Sequence, residues 1–351
     1  MIPPGETIGI LGGGQLGRMI AMAAAQLGYR CHIYAPEADS VAAEVSAAFT
    51  CAAWDDAAAM ARFAADCAVV TYEFENVPVA PLAALGGVPL HPHPRALETA
   101  QDRLTEKRFV EGLGGRPAPY ADVDGPQGLT AAIQAIGAPG IIKTRREGYD
   151  GKGQWRIVAP EDSGLNLPDQ PLIYEGFIRF EAEFSILLCR GVDGDIRFWD
   201  TPQNVHEGGI LARSTLPAPP VIQDHVAEAR AIAAKVAEAL GYVGVLTLEF
   251  FATADGPVFN EMAPRVHNSG HWTTEGAVTS QFENHVRAIC GLPLGATGLA
   301  AAGVEMRNVI GDAAEDWAEI LSDPCNHLHL YGKAAARPGR KMGHVTRLRL
   351  G

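Results

Sequence analysis

The chain has 351 residues, 47% of them hydrophobic, and carries a formal net charge of −13. That length suits two or three domains with sizeable cores, and so apolar a composition excludes a disordered chain. The acidic balance argues against nucleic acid as a partner, and any phosphate-bearing ligand must be held by a local basic pocket.

Six cysteines, Cys31, Cys51, Cys67, Cys189, Cys290 and Cys325, are scattered without a C-x-x-C pair. This pattern suits reduced thiols in a cytoplasmic protein rather than a disulfide framework. No charge-free apolar run reaches the roughly 18 residues of a membrane span, and residues 1–7 lack the charged leader of a signal peptide.

In chain order, residues 7–11 read as an apolar strand, 18–27 as an alanine-rich helix stopped by Gly28, and 30–35 as a second strand. A helix over 56–65 and a strand over 67–72 continue the alternation, which signals a parallel α/β unit. A charged helical stretch over 95–112 links it to a compact α/β lid over 117–178. The lid is expected to hold a helix at 129–136, a strand at 172–174 and a hairpin whose tip carries Gly148, Gly151 and Gly153. From residue 181 strands and turns alternate, with strands at 183–189 and 197–200. A helix over 226–240 and a hairpin of 243–251 with 257–261 follow, then a helix over 281–290 and a tail of short strands ending on a basic run.

Several motifs carry chemistry. Gly12-x-Gly14-x-x-Gly17 follows a strand and opens a helix, the setting of a dinucleotide fingerprint. The second strand, however, ends on Ala35-Pro36 and lacks the ribose-binding acid. The loop therefore reads as a seat for a substrate monophosphate, with NAD or a ligand-free turn as the alternatives. Glu73 follows the strand at 67–72, at the carboxyl end where parallel sheets bind ligands; it is a substrate contact or a solvated loop acid. The hairpin tip, with Lys143 before it, looks like a lid over a nucleotide triphosphate, although it has no Walker A spacing.

Glu249 and Glu261 each interrupt an apolar strand. If those strands pair, the two carboxylates converge on one magnesium ion; the alternative is ion pairing with Arg or Lys. Asn260 can join them only if its strand bends. His267-x-x-x-His271 is not a zinc helix, because Asn268-Ser-Gly270 is turn chemistry. Arg265, His267 and Asn268 instead suit a small planar anion such as bicarbonate. Glu175-Gly-Phe-Ile178 could read an adenine through its backbone. The cations of the tail could return to the Gly12–Gly17 loop as a phosphate clamp.

Taken together, six segments in this order carry a resemblance that spans residues 9–348: Gly-Gly-Gly-Gln-Leu-Gly-Arg at 12–18, Thr-Tyr-Glu-Phe-Glu-Asn-Val at 71–77, Gly-Tyr-Asp-Gly-Lys-Gly-Gln at 148–154, Phe-Asn-Glu-Met-Ala-Pro-Arg at 259–265, His-Asn-Ser-Gly-His-Trp-Thr at 267–273 and Arg-Pro-Gly-Arg-Lys-Met-Gly-His at 337–344. The chain resembles the 5-(carboxyamino)imidazole ribonucleotide synthases, ATP-grasp enzymes of purine biosynthesis. The resemblance implies an α/β ATP-grasp fold: a Rossmann-like domain at 1–98, a linker helix and lid at 99–178, and a C-terminal domain with a substrate-contacting tail at 179–351. It implies a cytoplasmic homodimer that carboxylates aminoimidazole ribonucleotide with bicarbonate and ATP through carboxyphosphate. No nucleic acid or membrane partner is implied.

Carried over residue by residue, the resemblance implies ATP contacts at Arg103, Lys143, Gly148, Tyr149, Asp150, Gly151, Lys152, Gly153, Gln154, Glu175, Gly176, Phe177, Ile178, Glu183, His206, Asn260 and Glu261. Magnesium would lie on Glu249 and Glu261. Aminoimidazole ribonucleotide would meet Gln15, Leu16, Glu73, Tyr149, Asp150, Lys333 and Arg340, and bicarbonate would meet Arg265, His267 and Asn268. Asp150, Arg265, His267 and Lys333 are expected at the reacting atoms, with Asp150 and His267 both able to handle a proton. Lys152 stands where many relatives carry arginine, which keeps the charge and loses the bidentate fork. Two other readings stand beside this one: an NAD-dependent oxidoreductase and an ATP-grasp ligase of another specificity.

Overall fold

The structure is a computed structural model and describes residues 1–148, 153–165 and 167–351. The chain opens with β1 (Thr7–Leu11), α1 (Gln15–Gln26), β2 (Arg30–Ala35), β3 (Ala48–Cys51), α2 (Ala57–Ala65) and β4 (Val69–Tyr72). The four strands form a parallel sheet in the order β3-β2-β1-β4. β1, β2 and β4 are buried almost throughout, as strands covered on both faces must be. Glu73 leaves the sheet directly after β4.

The charged stretch at 95–112 is two helices rather than the one predicted: α3 (Pro94–Ala100) and α4 (Arg103–Gly112). The break falls at Asp102. Its carboxylate accepts the N–H groups of Leu104 and Thr105, each at 3.1 Å, and pairs with Arg145 at 2.8 Å. A capping aspartate anchored by an arginine starts a new helix where the charge pattern alone suggested continuation.

The lid holds β5 (Tyr120–Val123), α5 (Gly125–Ile136), β6 (Gly140–Thr144), β7 (Gln154–Ile157) and β8 (Leu172–Gly176), an antiparallel sheet in the order β5-β8-β6-β7. The expected hairpin is β6 with β7, which places Lys143 opposite Gln154.

The remainder builds one large antiparallel sheet. Its elements are β9 (Ala182–Arg190), β10 (Ile196–Phe198), β11 (Gln203–Glu207), β12 (Ile210–Leu216), α6 (Pro220–Ala239), β13 (Gly244–Thr253), β14 (Gly256–Ala263), α7 (Thr273–Gly276), α8 (Gln281–Ile289), β15 (Gly303–Ile310), α9 (Trp317–Ile320), β16 (Asn326–Leu330) and β17 (Lys341–Arg349). The strand order is β14-β13-β9-β11-β12-β15-β17-β16, with β10 beside β9. The helix predicted from residue 226 starts earlier because Pro220 takes its first turn, where no N–H is needed.

One core cluster joins Ile8 of β1, Ile20 of α1 and Ile33 of β2 to Leu187 of β9, Val245 of β13, and Phe282 and Val286 of α8. Burying side chains of this size stabilises by roughly 1.5–3 kcal/mol each, so the parallel sheet and the large sheet are held in fixed relation. That relation brings Glu73 and the β13–β14 hairpin to one cleft. Among the described residues, no helix is long and apolar enough to cross a membrane.

Candidate active site

A cavity of about 490 Å³ opens between the parallel sheet, α4 and the β13–β14 hairpin. Glu249 and Glu261 both line it, and they stand directly opposite each other in the antiparallel pairing. The pairing then skips: Phe250 faces Phe259, which leaves Asn260 as the extra residue of a β-bulge. This is the bend that Asn260 needs to lie on the same side as Glu261, and both are half-buried between fully buried neighbours.

α4 fixes the bulge. Lys107 donates to the Asn260 carbonyl at 3.0 Å, Glu106 accepts the Met262 N–H at 2.7 Å, and Arg103 pairs with the Glu261 carboxylate at 2.9 Å. These three side chains, spaced i, i+3 and i+4, share one helix face. They hold the residues before and after Glu261 as well as Glu261 itself. The ion-pair alternative is realised at Glu261, which pairs with Arg103, whereas Glu249 lies 3.5 Å from His267 Nε2.

Electrostatics separates the two acids. Burial and the neighbouring Glu261 carboxylate push Glu249 up to about 7. Burial also pushes Glu261 upward, but Arg103 more than offsets it and holds Glu261 below its ordinary value. Two carboxylates crowded in this way fit a hard divalent cation that would relieve their repulsion. Among the described residues no group of three His, Cys, Asp or Glu side chains could hold a metal alone. A magnesium ion here would take its remaining oxygens from phosphate and water, as it commonly does.

On the lid side, Lys143 pairs with Glu175 at 2.9 Å, and the buried Lys107 reaches the same carboxylate at 3.4 Å. Burial raises Glu175, but Lys107 and Lys143 outweigh it and bring it to about 2. The N–H groups of Gly176 and Phe177 donate to the Pro119 and Pro139 carbonyls. They are thus committed to the fold, and the adenine-reading role expected of this segment is narrowed to its other groups.

The anion loop follows β14. Arg265 lines the cavity and pairs with Glu75 at 2.5 Å. Gln281 grips the His267 backbone on both sides, accepting its N–H at 2.9 Å and donating to its carbonyl at 2.7 Å. Asn268 lines the cavity with both side-chain polar atoms buried and without a hydrogen-bond partner among the described residues. Such orphaned groups suit a ligand that both donates and accepts hydrogen bonds.

At the opposite wall, Glu73 accepts N–H groups from Gly14 at 2.8 Å and Gly17 at 3.3 Å. A Cβ on Gly12, Gly14 or Gly17 would come within 2.6, 3.0 and 3.1 Å of this side chain respectively. The glycine pattern that resembles a dinucleotide fingerprint therefore makes room for a protein carboxylate. Two N–H groups of this helix N-terminus thus serve Glu73, so a phosphate seated here would meet the remaining groups of the turn. Gln15, half-buried, and Leu16, buried, in the first turn of α1, still line the cavity.

Other predicted residues are placed as follows. His206 pairs with Glu183 and is raised by that contact and by the nearby Glu249, although burial opposes it. The tail does return to the first domain: Gly332 packs against Glu44 and Arg18, and burial raises the Glu73 carboxyl while Arg265 and Lys333 partly oppose that rise. Arg340 is not brought to the cavity; it donates to the exposed Ala335 carbonyl at 2.8 Å. Its neighbour Lys341 lines the cavity instead and influences both Glu249 and His267. Residue alternation at the start of β17 is the signal that could have chosen between the two. Gly148 lines the cavity and accepts from Arg103 at 3.0 Å, while Gly153 directly precedes β7 and Gln154 opens it. Tyr149, Asp150, Gly151 and Lys152 lie outside the described residues.

A small antiparallel lid, a large sheet bearing paired carboxylates and a parallel-sheet domain in front define an ATP-grasp ligase. Family models agree: a ribonucleotide synthetase preATP-grasp domain matches residues 5–101, an ATP-grasp domain matches 108–282, and a phosphoribosylaminoimidazole carboxylase C-terminal domain matches 305–349. The N5-carboxyaminoimidazole ribonucleotide synthase of Brucella melitensis is 50% identical over 99% of this chain and 98% of its own length. The solved synthetase of Thermus thermophilus superposes with a TM-score of 0.91 at 47% identity, over 98% of this chain and 94% of that one. The Aspergillus clavatus synthase, solved with ADP and 5-aminoimidazole ribonucleotide, gives 0.88 at 31% identity, over 98% and 93%. The chain belongs to the N5-carboxyaminoimidazole ribonucleotide synthase family.

Proposed function

We propose that this chain carboxylates 5-aminoimidazole ribonucleotide, using ATP and bicarbonate, and yields 5-(carboxyamino)imidazole ribonucleotide, ADP and phosphate. The observation that carries the reading is the single cavity onto which Glu73, the Glu249–Glu261 pair and the Arg265–Asn268 loop all open. Ribonucleotide, phosphates and a planar anion can meet there. A magnesium ion on Glu249 and Glu261 would offset charge on the phosphates when bound. Cytoplasmic location and a homodimeric working unit belong to the same proposal.

In this reading Arg103, Lys107 and Lys143 stand along the triphosphate and supply positive charge where it accumulates during phosphoryl transfer. Arg265 and Asn268 orient bicarbonate so that one of its oxygens meets the γ-phosphorus as the bond to ADP breaks. The carboxyphosphate so formed loses its C–O bond, leaving phosphate and carbon dioxide. The exocyclic amine of the ribonucleotide attacks the carbon and releases a proton. Glu73 and Lys333 hold the ribonucleotide against α1, and the β6–β7 hairpin excludes water that would discharge the intermediate.

The test is phosphate release from ATP and bicarbonate with and without the ribonucleotide. Release that depends strongly on the ribonucleotide supports the reading. Release indifferent to it, or nicotinamide turnover in its place, contradicts it.

A further inference from the structure

Behind His267, on the side away from the cavity, runs a chain of buried polar side chains that the mechanism above does not use. His267 Nδ1 lies 2.8 Å from Ser269 Oγ, which lies 2.8 Å from Ser185 Oγ. Asn204 Nδ2 donates to Ser185 Oγ at 3.1 Å, and Ser214 Oγ donates to Asn204 Oδ1 at 2.8 Å. Ser185, Ser214 and Ser269 are wholly buried and Asn204 is 3% exposed. The chain crosses three neighbouring strands: Ser185 on β9, Asn204 on β11 and Ser214 on β12.

One backbone contact sets the direction of the protons in this chain. The backbone N–H of Ser269 donates to His267 Nδ1 at 3.3 Å, so that nitrogen is an acceptor. A backbone N–H cannot reverse its role, which fixes the imidazole tautomer at its anchor. The Ser269 hydroxyl must then also donate to Nδ1, and it accepts from Ser185. Ser185 in turn accepts from the Asn204 amide, whose oxygen accepts from Ser214. Every hydroxyl in the chain then has an acceptor. The ring hydrogen is left on Nε2, which faces the cavity 3.5 Å from Glu249 Oε1.

We infer that Ser269, Ser185 and Asn204 are positioning residues that hold His267 as the Nε2–H tautomer, so that it presents a hydrogen-bond donor, not a base, to the carboxylate-bearing face of the cavity. A histidine held in this way orients an oxygen of bicarbonate or carboxyphosphate. The proton released by the ribonucleotide amine must leave by another group. A tautomer is set by what the far nitrogen bonds, and here that bond is backed by three strands of the large sheet. The inference rests on the carboxylating reading only for its kinetic consequence.

The experiment is a long-range proton–nitrogen correlation spectrum of the metal-free full chain labelled with ¹⁵N-histidine, with His267 assigned from a His267→Gln sample. The wild-type spectrum is expected to show His267 protonated on Nε2 alone. Ser269→Ala keeps the backbone donor and loses the hydroxyl. It is expected to mix in the Nδ1–H form and to lower kcat about tenfold at an unchanged KM for ATP. Ser269→Thr restores both, and Ser185→Ala, one bond further back, shifts the tautomer the same way by less. An Nδ1–H signal in the wild type overturns the inference. So does a loss of kcat in Ser269→Ala with the wild-type nitrogen pattern kept, because that is a merely structural effect. Wild-type protein that releases no phosphate with the ribonucleotide contradicts the functional reading instead, and the spectrum judges the tautomer independently.

Discussion

Glu249 and Glu261 face each other across the β13–β14 pair, directly beside a bulge at Asn260. Like charges directly opposite in a sheet are destabilising, so the arrangement is costly unless a ligand uses it. Arg103 offsets only the Glu261 half. Replacing Glu261 by alanine is therefore expected to lower ATP turnover by at least ~100-fold, the scale of one lost electrostatic contact at a phosphoryl-transfer site. The fold should survive, because Glu106 and Lys107 still hold the backbone on either side. Steady-state ADP release over a magnesium titration, with a melting curve beside it, checks this. Normal turnover with normal magnesium dependence would reject the metal assignment.

Glu106 gives a pH prediction. Burial foremost, and then the nearby Glu261 charge, raise it to about 8 although Lys107 pulls it down. Its folded value lies above its ordinary 4.5, so the folded state favours the protonated form. The resulting stabilisation is whole below the ordinary value and is lost as pH rises toward 8. Metal-free protein should lose on the order of 1–3 kcal/mol from this group between pH 5 and 8. Glu106→Gln should flatten that slope in urea melts, and parallel slopes for the two proteins would count against the assignment.

Glu73 has a double role that can be separated. Its carboxylate satisfies two N–H groups of the Gly12–Gly17 turn and also lines the cavity. Glu73→Ala should cost about 1–3 kcal/mol through the orphaned donors. It should also raise KM for the ribonucleotide more than KM for ATP, because the β13–β14 wall is untouched. Equal increases in both constants would point to a general loosening of the cleft.

Much of this was legible before any coordinates. The strand-helix alternation to residue 72, the β6–β7 hairpin and the Glu249–Glu261 pairing all follow from local patterns, because each is a contact between near neighbours in the chain. The break at Asp102 was not legible, since it depends on Arg145 from the lid. β3, β11 and β12 escaped notice because β3 is four residues long with none of them buried, and the β11–β12 hairpin mixes polar with apolar residues. The Gly12–Gly17 motif was only half legible for a similar reason. Its glycines accommodate Glu73, 56 residues beyond Gly17, and no spacing rule sees that approach. In the tail, Arg340 and Lys341 differ by one position, and the start of β17 decides which of them faces the cavity.

The most direct test of the central claim uses ¹⁸O-labelled bicarbonate with ATP and aminoimidazole ribonucleotide, reading the mass of the released phosphate. If bicarbonate attacks the γ-phosphorus and the carboxyphosphate then breaks at carbon, each phosphate carries one ¹⁸O and appears one for one with the carboxylated ribonucleotide. Phosphate without the label, or labelled phosphate formed at full rate in the absence of the ribonucleotide, contradicts the account.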